Sequence, residues 1–351
     1  MSNRYLISLK PVGKFFFGGD MSFTVNGKKS EYSSYIITSN KFPQQTSLLG
    51  MLRFLVLRND SSVFDAATQS ITDRHAAAKL IGESSFVQSG CKTTYGVING
   101  ISECFLQTMH NNQWTDLSFQ YKADELQLDL NSGVIAQING KSVTIPSMKY
   151  DSKEGLGSCY VGVDGISKID EDIFVEDLCN GIDRNITTGK TDNNALFKQI
   201  FYRFKTTDFR FAFEADVDMD ITPYNGQIVS VGADNSQFVI GIEKSERKSA
   251  SDANGKCVVL LSPSYITETD LGSVTFAISD TIPFKSMKTR TESIGPYNKK
   301  SEKYDYSDKV MLYTTGSQFY FKSNEEAKLF ASKIRNQSDF NQIGYNQCVI
   351  K

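Results

Sequence analysis

An α+β fold is predicted by three features of this 351-residue sequence. Strand-like runs outnumber helical ones, each half of the chain carries an amphipathic helix beside them, and Gly, Asn and Asp turns keep the strands short. The most economical arrangement is two tandem ferredoxin-like (RRM-like) domains with a β-rich insertion. The corresponding boundaries are residues 1–85, 86–185 and 186–351.

The elements follow in chain order. Tyr5, Ile7 and Leu9 alternate with polar neighbours, as a half-buried first strand requires. After Pro43, the residues Leu48, Leu49, Leu52, Leu55 and Val56 form one apolar helical stripe, with Arg53 and Arg58 expected to project away from it. A second helix is predicted over 72–81. Residues 86–174 are irregular and β-rich, punctuated by turns such as "NSGV" and "INGKS". "LFKQIFYRF" and "FRFAFEADV" flank the polar "KTTD", which predicts a hairpin. Further strands are expected over 226–231, 238–243, 258–261 and 318–321. Ser323 and Glu326 form a capping box ahead of a helix whose buried face is Ala327, Phe330 and Ile334. "IGYNQCVIK" reads as a turn and a closing strand.

Charge and composition narrow the function. Lys plus Arg number 38 against 40 Asp plus Glu, so no global positive field advertises nucleic acid, and an anionic ligand needs local patches. Lys285, Lys288, Arg290, Lys299, Lys300 and Lys303 form one basic accumulation; Asp170, Glu171, Asp172, Glu176, Asp177 and Asp183 form an acidic one. The longest apolar stretch, 48–57, contains Arg53 and falls short of the roughly 20 residues of a membrane span. No secretory signal is read at the N-terminus, and six cysteines without a C-x-x-C pair suit reduced thiols, so a cytoplasmic protein is expected. No cofactor motif is present.

The stretch "DRNITTGKTDNN", residues 183–194, ends a P-loop-like Gly189-Lys190-Thr191. Arg184 stands where the first P-loop glycine is required, and the aromatic run after the loop suits a strand better than a helix. What remains is a polar loop carrying two cations. It reads either as a solvated turn or as a holder of another anionic group.

Four motifs in consistent order resemble one family. "KFPQQTSLLGMLRFLVL" resembles the P-x-x-T-x-x-G-x-x-R first helix of the repeat-associated (RAMP) superfamily of CRISPR proteins. "GIDRNITTGKTDNNALFKQIFYRF", "LYTTGSQFYF" and "IGYN" are similar to blocks of the third-subunit family of the type III-B (Cmr) effector complex. Departures are "VSVGADNSQ", with the single Gly232 where the family has two glycines, and a glycine loop thinned to Gly344.

The resemblance implies a non-catalytic subunit that binds the 5′ repeat-derived tag of a guide RNA. It also implies docking on the large polymerase-like subunit, with backbone subunits as further partners and no membrane. Under it, Arg184, Asn185, Thr188 and Lys190 become candidates for phosphate and base-edge contacts. Gln45, Thr46 and Ser47 open the first helix, where exposed N–H groups and the dipole favour a phosphate. Arg53, Lys288 and Arg290 complete the candidate set.

The rival reading is an RNA-cleaving endoribonuclease of the same superfamily. Its general base would be His75 or His110, and Asp216, Asp218 and Asp220 would share one strand face where Mg²⁺ could bind. Ile221 and Gln227 stand where a calcium loop needs Gly and Glu, and no G-x-S-x-G elbow occurs. A pure protein scaffold that touches no RNA is the third possibility.

Overall fold

The computed structural model describes residues 3–19, 21–25, 32–122, 126–138, 140–149, 153, 157–162, 165–184, 187, 191–248, 250–288 and 305–351. Its main feature is a nine-stranded antiparallel sheet built around the strand Asn3–Pro11. That strand pairs on one side with Phe209–Val217, setting Ile7 opposite Phe213, and on the other with Gln237–Lys244, setting Ile7 opposite Ile242. Phe105–His110 lies beyond Phe209–Val217. Taken in chain order, these four strands sit fourth, first, third, second across the sheet. Alternation works as expected: Tyr5, Ile7 and Leu9 are 1%, 0% and 0% exposed.

The first helix, Gln45–Arg58, has Leu48, Leu52, Leu55 and Val56 fully buried in the same core cluster as these strands. The second, Arg74–Ile81, starts later than expected. Asp73 ends the preceding turn by accepting from the backbone N–H groups of His75 and Ala76 at 2.9 and 3.0 Å.

A second, four-stranded sheet repeats the same order. Cys257–Leu260 lies between Cys348–Ile350 and Gln318–Tyr320, with Phe276–Ile278 outermost. The helix Asn324–Arg335 covers it with Ala327, Phe330 and Ile334, as the sequence predicts. Ser323 accepts from the Glu326 N–H, and the Glu326 carboxylate reaches back to the N–H of Lys322 at 3.0 Å.

Two expectations are corrected by the strand pairing. The segments flanking "KTTD" are not a hairpin. Thr191–Phe204 pairs antiparallel with Phe174–Arg184 and parallel with Tyr32–Thr38, in a separate sheet with Met21–Val25. The chain turns a corner at 205–208 and enters the nine-stranded sheet. The reason is aromatic packing between layers: Phe204 meets Phe211 at 5.0 Å, and Phe15 meets them at 5.6 and 5.3 Å. Second, sheet pairing crosses the expected division at 185/186, because Phe209–Val217 and Gln237–Lys244 flank the N-terminal strand.

Within 86–174, Ile98–Ile101 and Phe105–His110 join the sheet centre, and Gln113–Tyr121 and Ser158–Gly162 extend its edge. Asp129–Ile138 and Lys141–Ser147 form a separate two-stranded ribbon. Its turn follows the predicted "INGKS", with Gly140 at φ +74°.

A charged cluster fixes the segment 245–252, which follows the last strand of the nine-stranded sheet, against that sheet. Arg247 meets Asp116 at 2.8 Å, Glu103 at 3.0 Å and Glu214 at 3.3 Å, while Arg4 meets Glu214 at 2.7 Å. Burial alone would raise Glu214, but hydrogen bonds from Arg4 and Ser245 with the neighbouring Arg247 hold it below the usual carboxylate range. Burial pushes Glu103 the other way, above that range, against the pull of Arg247.

Candidate nucleic-acid interface

The start of the first helix is closed from within the chain. Gln44 is the cap residue, extended in backbone and without a side-chain cap of its own. Tyr345, from the closing turn that Gly344 makes at φ +83°, donates its hydroxyl to Gln44 Oε1 at 2.9 Å. The same hydroxyl oxygen is bonded by Thr46 and by the backbone of Thr46 and Gln45; burial nevertheless pushes its pKa up. The orphan N–H groups of the first turn thus meet a tyrosine, not open solvent.

Gln45 is 2% exposed and donates Nε2 to the Ser102 carbonyl at 2.7 Å, which withdraws it from the expected phosphate-binding role. Thr46 and Ser47 are half-buried and keep part of their surface. Arg53 is also corrected. It is 9% exposed, and its guanidinium donates to the carbonyls of Ile81 and Gly82 at 2.7 and 3.2 Å, closing the end of the second helix. Arg58 bonds Gln227 and the Ile228 carbonyl, both at 2.8 Å.

Arg184 ends the strand Phe174–Arg184 opposite Thr191, and Lys288 ends Met287–Lys288 opposite Asp305. The side chains of both lie outside the described residues, as do Asn185, Thr188, Lys190 and Arg290. Thr191 opens a strand, not a phosphate-binding helix, in keeping with rejection of the P-loop.

Cations converge elsewhere, at the Phe174/Phe204 end of the ribbon that Phe174–Arg184 and Thr191–Phe204 form. A cleft of about 370 Å³ is lined by Lys10, Lys14, Arg203 and Lys205, together with Gly13 and Thr206. Lys14 stands 3.8 Å from Asp177, also in the lining, and 4.5 Å over the Phe201 ring. Lys205 donates to the Glu171 carbonyl at 3.1 Å. Lys10 and Arg203 are exposed and form no ion pair among the described residues. The folding logic is local. Tyr202 and Phe204 turn into the core, so strand alternation drives Arg203 outward beside the end of the first strand. Four cations around one carboxylate suit an oligoanion. Sequence reading missed them because "LKPVGK" and "YRFK" lie about 190 residues apart and neither is a charge run.

The residues of the cleaving alternative are dispersed. The strand ends at Val217, so the three aspartates do not share its face. Asp216 lines a polar cavity with Arg4 and Arg247, Asp218 donates its N–H to Val97, and Asp220 accepts from Thr222 and Tyr5. Among the described residues, no group of three or more His, Cys, Asp or Glu side chains is arranged to hold a metal. His75 lies in the first turn of its helix and His110 at a strand end opposite Gln113.

A strand-rich chain with these motifs falls in the class of CRISPR-associated proteins. Specifically, it belongs to the family described as CRISPR-associated protein (Cas_Cmr3), whose model matches residues 131–351, more than half of the chain. Among solved structures, it is similar in fold to a chain of the Type III-B Cmr-beta bound to cognate target RNA. That likeness has a TM-score of 0.51 and 15% identity, covering 99% of this chain and 96% of the other. A chain of the same assembly with target RNA and AMPPnP gives a TM-score of 0.50 and 14% identity, covering 98% and 95%. No curated protein sequence matches the chain. Among the described residues, no helix is long and apolar enough to cross a membrane.

Proposed function

We propose that this chain is a non-catalytic subunit of a type III-B CRISPR effector complex that binds the 5′ repeat-derived tag of the guide RNA and docks on the large polymerase-like subunit. Family membership carries the reading. It is supported by the cleft of Lys10, Lys14, Arg203 and Lys205, whose charge suits a sugar–phosphate backbone. The strand Phe174–Arg184 runs from that cleft to Arg184, and Asn185, Thr188 and Lys190, which follow it in the sequence, stay in the candidate set. Thr46 and Ser47 stay in the candidate set, as do Lys288 and Arg290.

The fourth-first-third-second strand order, seen twice, supports two ferredoxin-like units, each with one helix position shortened to a 3₁₀ turn at Thr222–Tyr224 or Asp270–Ser273. The division then falls between 244 and 257, later than the sequence predicts. Dispersal of His75, His110 and the aspartates favours gripping over cutting. A formal charge of −2 agrees with a subunit that completes a groove with its neighbours in a cytoplasmic ribonucleoprotein.

Binding of tag RNA measured against salt tests this reading. With about five phosphates contacted at roughly −0.7 each, the log–log slope is about −3.5. A flat response contradicts it. Incubation with repeat RNA and Mg²⁺ leaves the RNA intact; specific cutting lost in His75→Ala or Asp218→Ala would establish the ribonuclease instead.

A further inference from the structure

Ion pairs of two kinds border the clefts of this chain. In a second cavity, of about 540 Å³ and walled by Phe42, Phe119 and Tyr160, the cation is Lys41, which bonds Asp170 at 2.7 Å. Tyr160 bonds the other oxygen of that carboxylate at 3.1 Å, so the pair is closed and the wall is left aromatic. In the basic cleft the pair is Lys14 with Asp177, and it is open. The two groups stand 3.8 Å apart, each with more than a third of its side chain exposed.

The ribbon builds the seat on which Lys14 rests. Asp177 stands directly opposite Phe201 in the pairing of Phe174–Arg184 with Thr191–Phe204, and Cys179 is two residues further along the same face. Lys14 lies 4.5 Å over the Phe201 ring and also donates to the Cys179 thiol. Arg203, two residues beyond Phe201, is the next side chain on that face of its strand and the diagonal neighbour of Asp177. It forms no ion pair among the described residues. One carboxylate therefore stands between a seated cation and an unpaired one.

A phosphate oxygen competes with a carboxylate for the same donors, so an anion that engages both cations must take Lys14 from Asp177. An exposed pair gives way at a small cost, about 2- to 5-fold in an equilibrium constant. We propose that Asp177 is a built-in competitor in the basic cleft: it holds Lys14 when no anion is bound and yields it to phosphate, which keeps the affinity of the cleft below what its four cations alone would reach. The inference rests on the proposed RNA-binding role of this cleft and adds the means by which its grip is moderated.

The test is a double-mutant cycle on guide-RNA affinity in the reconstituted complex. Asp177→Asn keeps the size of the side chain and removes its charge; Lys14→Gln keeps most of the cover over Phe201 and removes the cation. Asp177→Asn is expected to tighten binding by about 2- to 5-fold, the range of one exposed ion pair, and to steepen the log–log salt slope by up to about 0.7, one phosphate contact. In the Lys14→Gln background most of that gain disappears. Affinity that is unchanged or weaker in Asp177→Asn overturns the inference, as does a gain undiminished without Lys14, which would mark a diffuse effect of net charge. The parent reading fails separately: Lys10→Ala with Arg203→Ala then leaves guide retention and its salt slope unchanged, whereas both still fall if only the role of Asp177 is wrong.

Discussion

Arg53 shows how far a single residue can depart from its composition-based role. A cation next to an apolar stripe is ordinarily read as solvent-facing, yet Arg53 follows Leu49 by four residues and precedes Val56 by three, on the flank of the buried face. That spacing was the available signal. Its bonds to Ile81 and Gly82 satisfy carbonyls that the second helix leaves open. Arg53→Ala leaves those carbonyls buried and unpaired, so chemical denaturation is expected to register a loss of about 3 kcal/mol, with RNA affinity of the folded protein unchanged. Asp252 makes a pH-dependent case. Its two oxygens take bonds of 2.7 Å from Arg335, which hold its pKa below the usual range. A depressed carboxylate stabilises fully above its unfolded value of about 3.9, and that contribution is lost as pH falls through the folded value. Melting curves of Arg335→Ala should therefore lose the part of the acid dependence that lies below about pH 4.

At the scale of elements, what the sequence revealed was what depends on neighbours along the chain. The first strand, the first helix and the capped helix Asn324–Arg335 are set by alternation, 3.6-residue periodicity and a local cap, and all were legible. The corner at 205–208 was not, because two aromatic strands around a polar turn have the same pattern whether they pair edge to edge or stack in layers. Phe211 is the test of layering. It touches Phe15, Phe204 and Phe238, rings drawn from segments far apart in the chain, and Phe211→Ala is expected to cost about 3–5 kcal/mol. A loss below about 1 kcal/mol would mean that the layers are not packed there. The basic cleft was hidden for the same reason, since its cations meet only after the ribbon returns to the first strand. Removing Arg203 as Arg203→Ala should flatten the salt slope of tag binding by about 0.7 if it holds one phosphate.

For the whole molecule, two sheets of like strand order, with the Arg247 cluster fixing the segment after the first of them, carry two clefts of opposite character. The family was legible in the sequence through four ordered motifs, whereas the residues forming the clefts were largely not, because each cleft is assembled from segments far apart in the chain. Near-neutral net charge confines anion binding to the cation-lined surface, so the isolated chain should hold RNA weakly and the complete assembly tightly. The most direct measurement is ultraviolet crosslinking of the guide's 5′ tag within the assembled complex, followed by peptide mapping. The account predicts adducts on this chain in peptides containing Lys10, Lys14 and Arg203 and on the ribbon that rises from them. Adducts confined to the other polypeptides, with the tag still held, would contradict it.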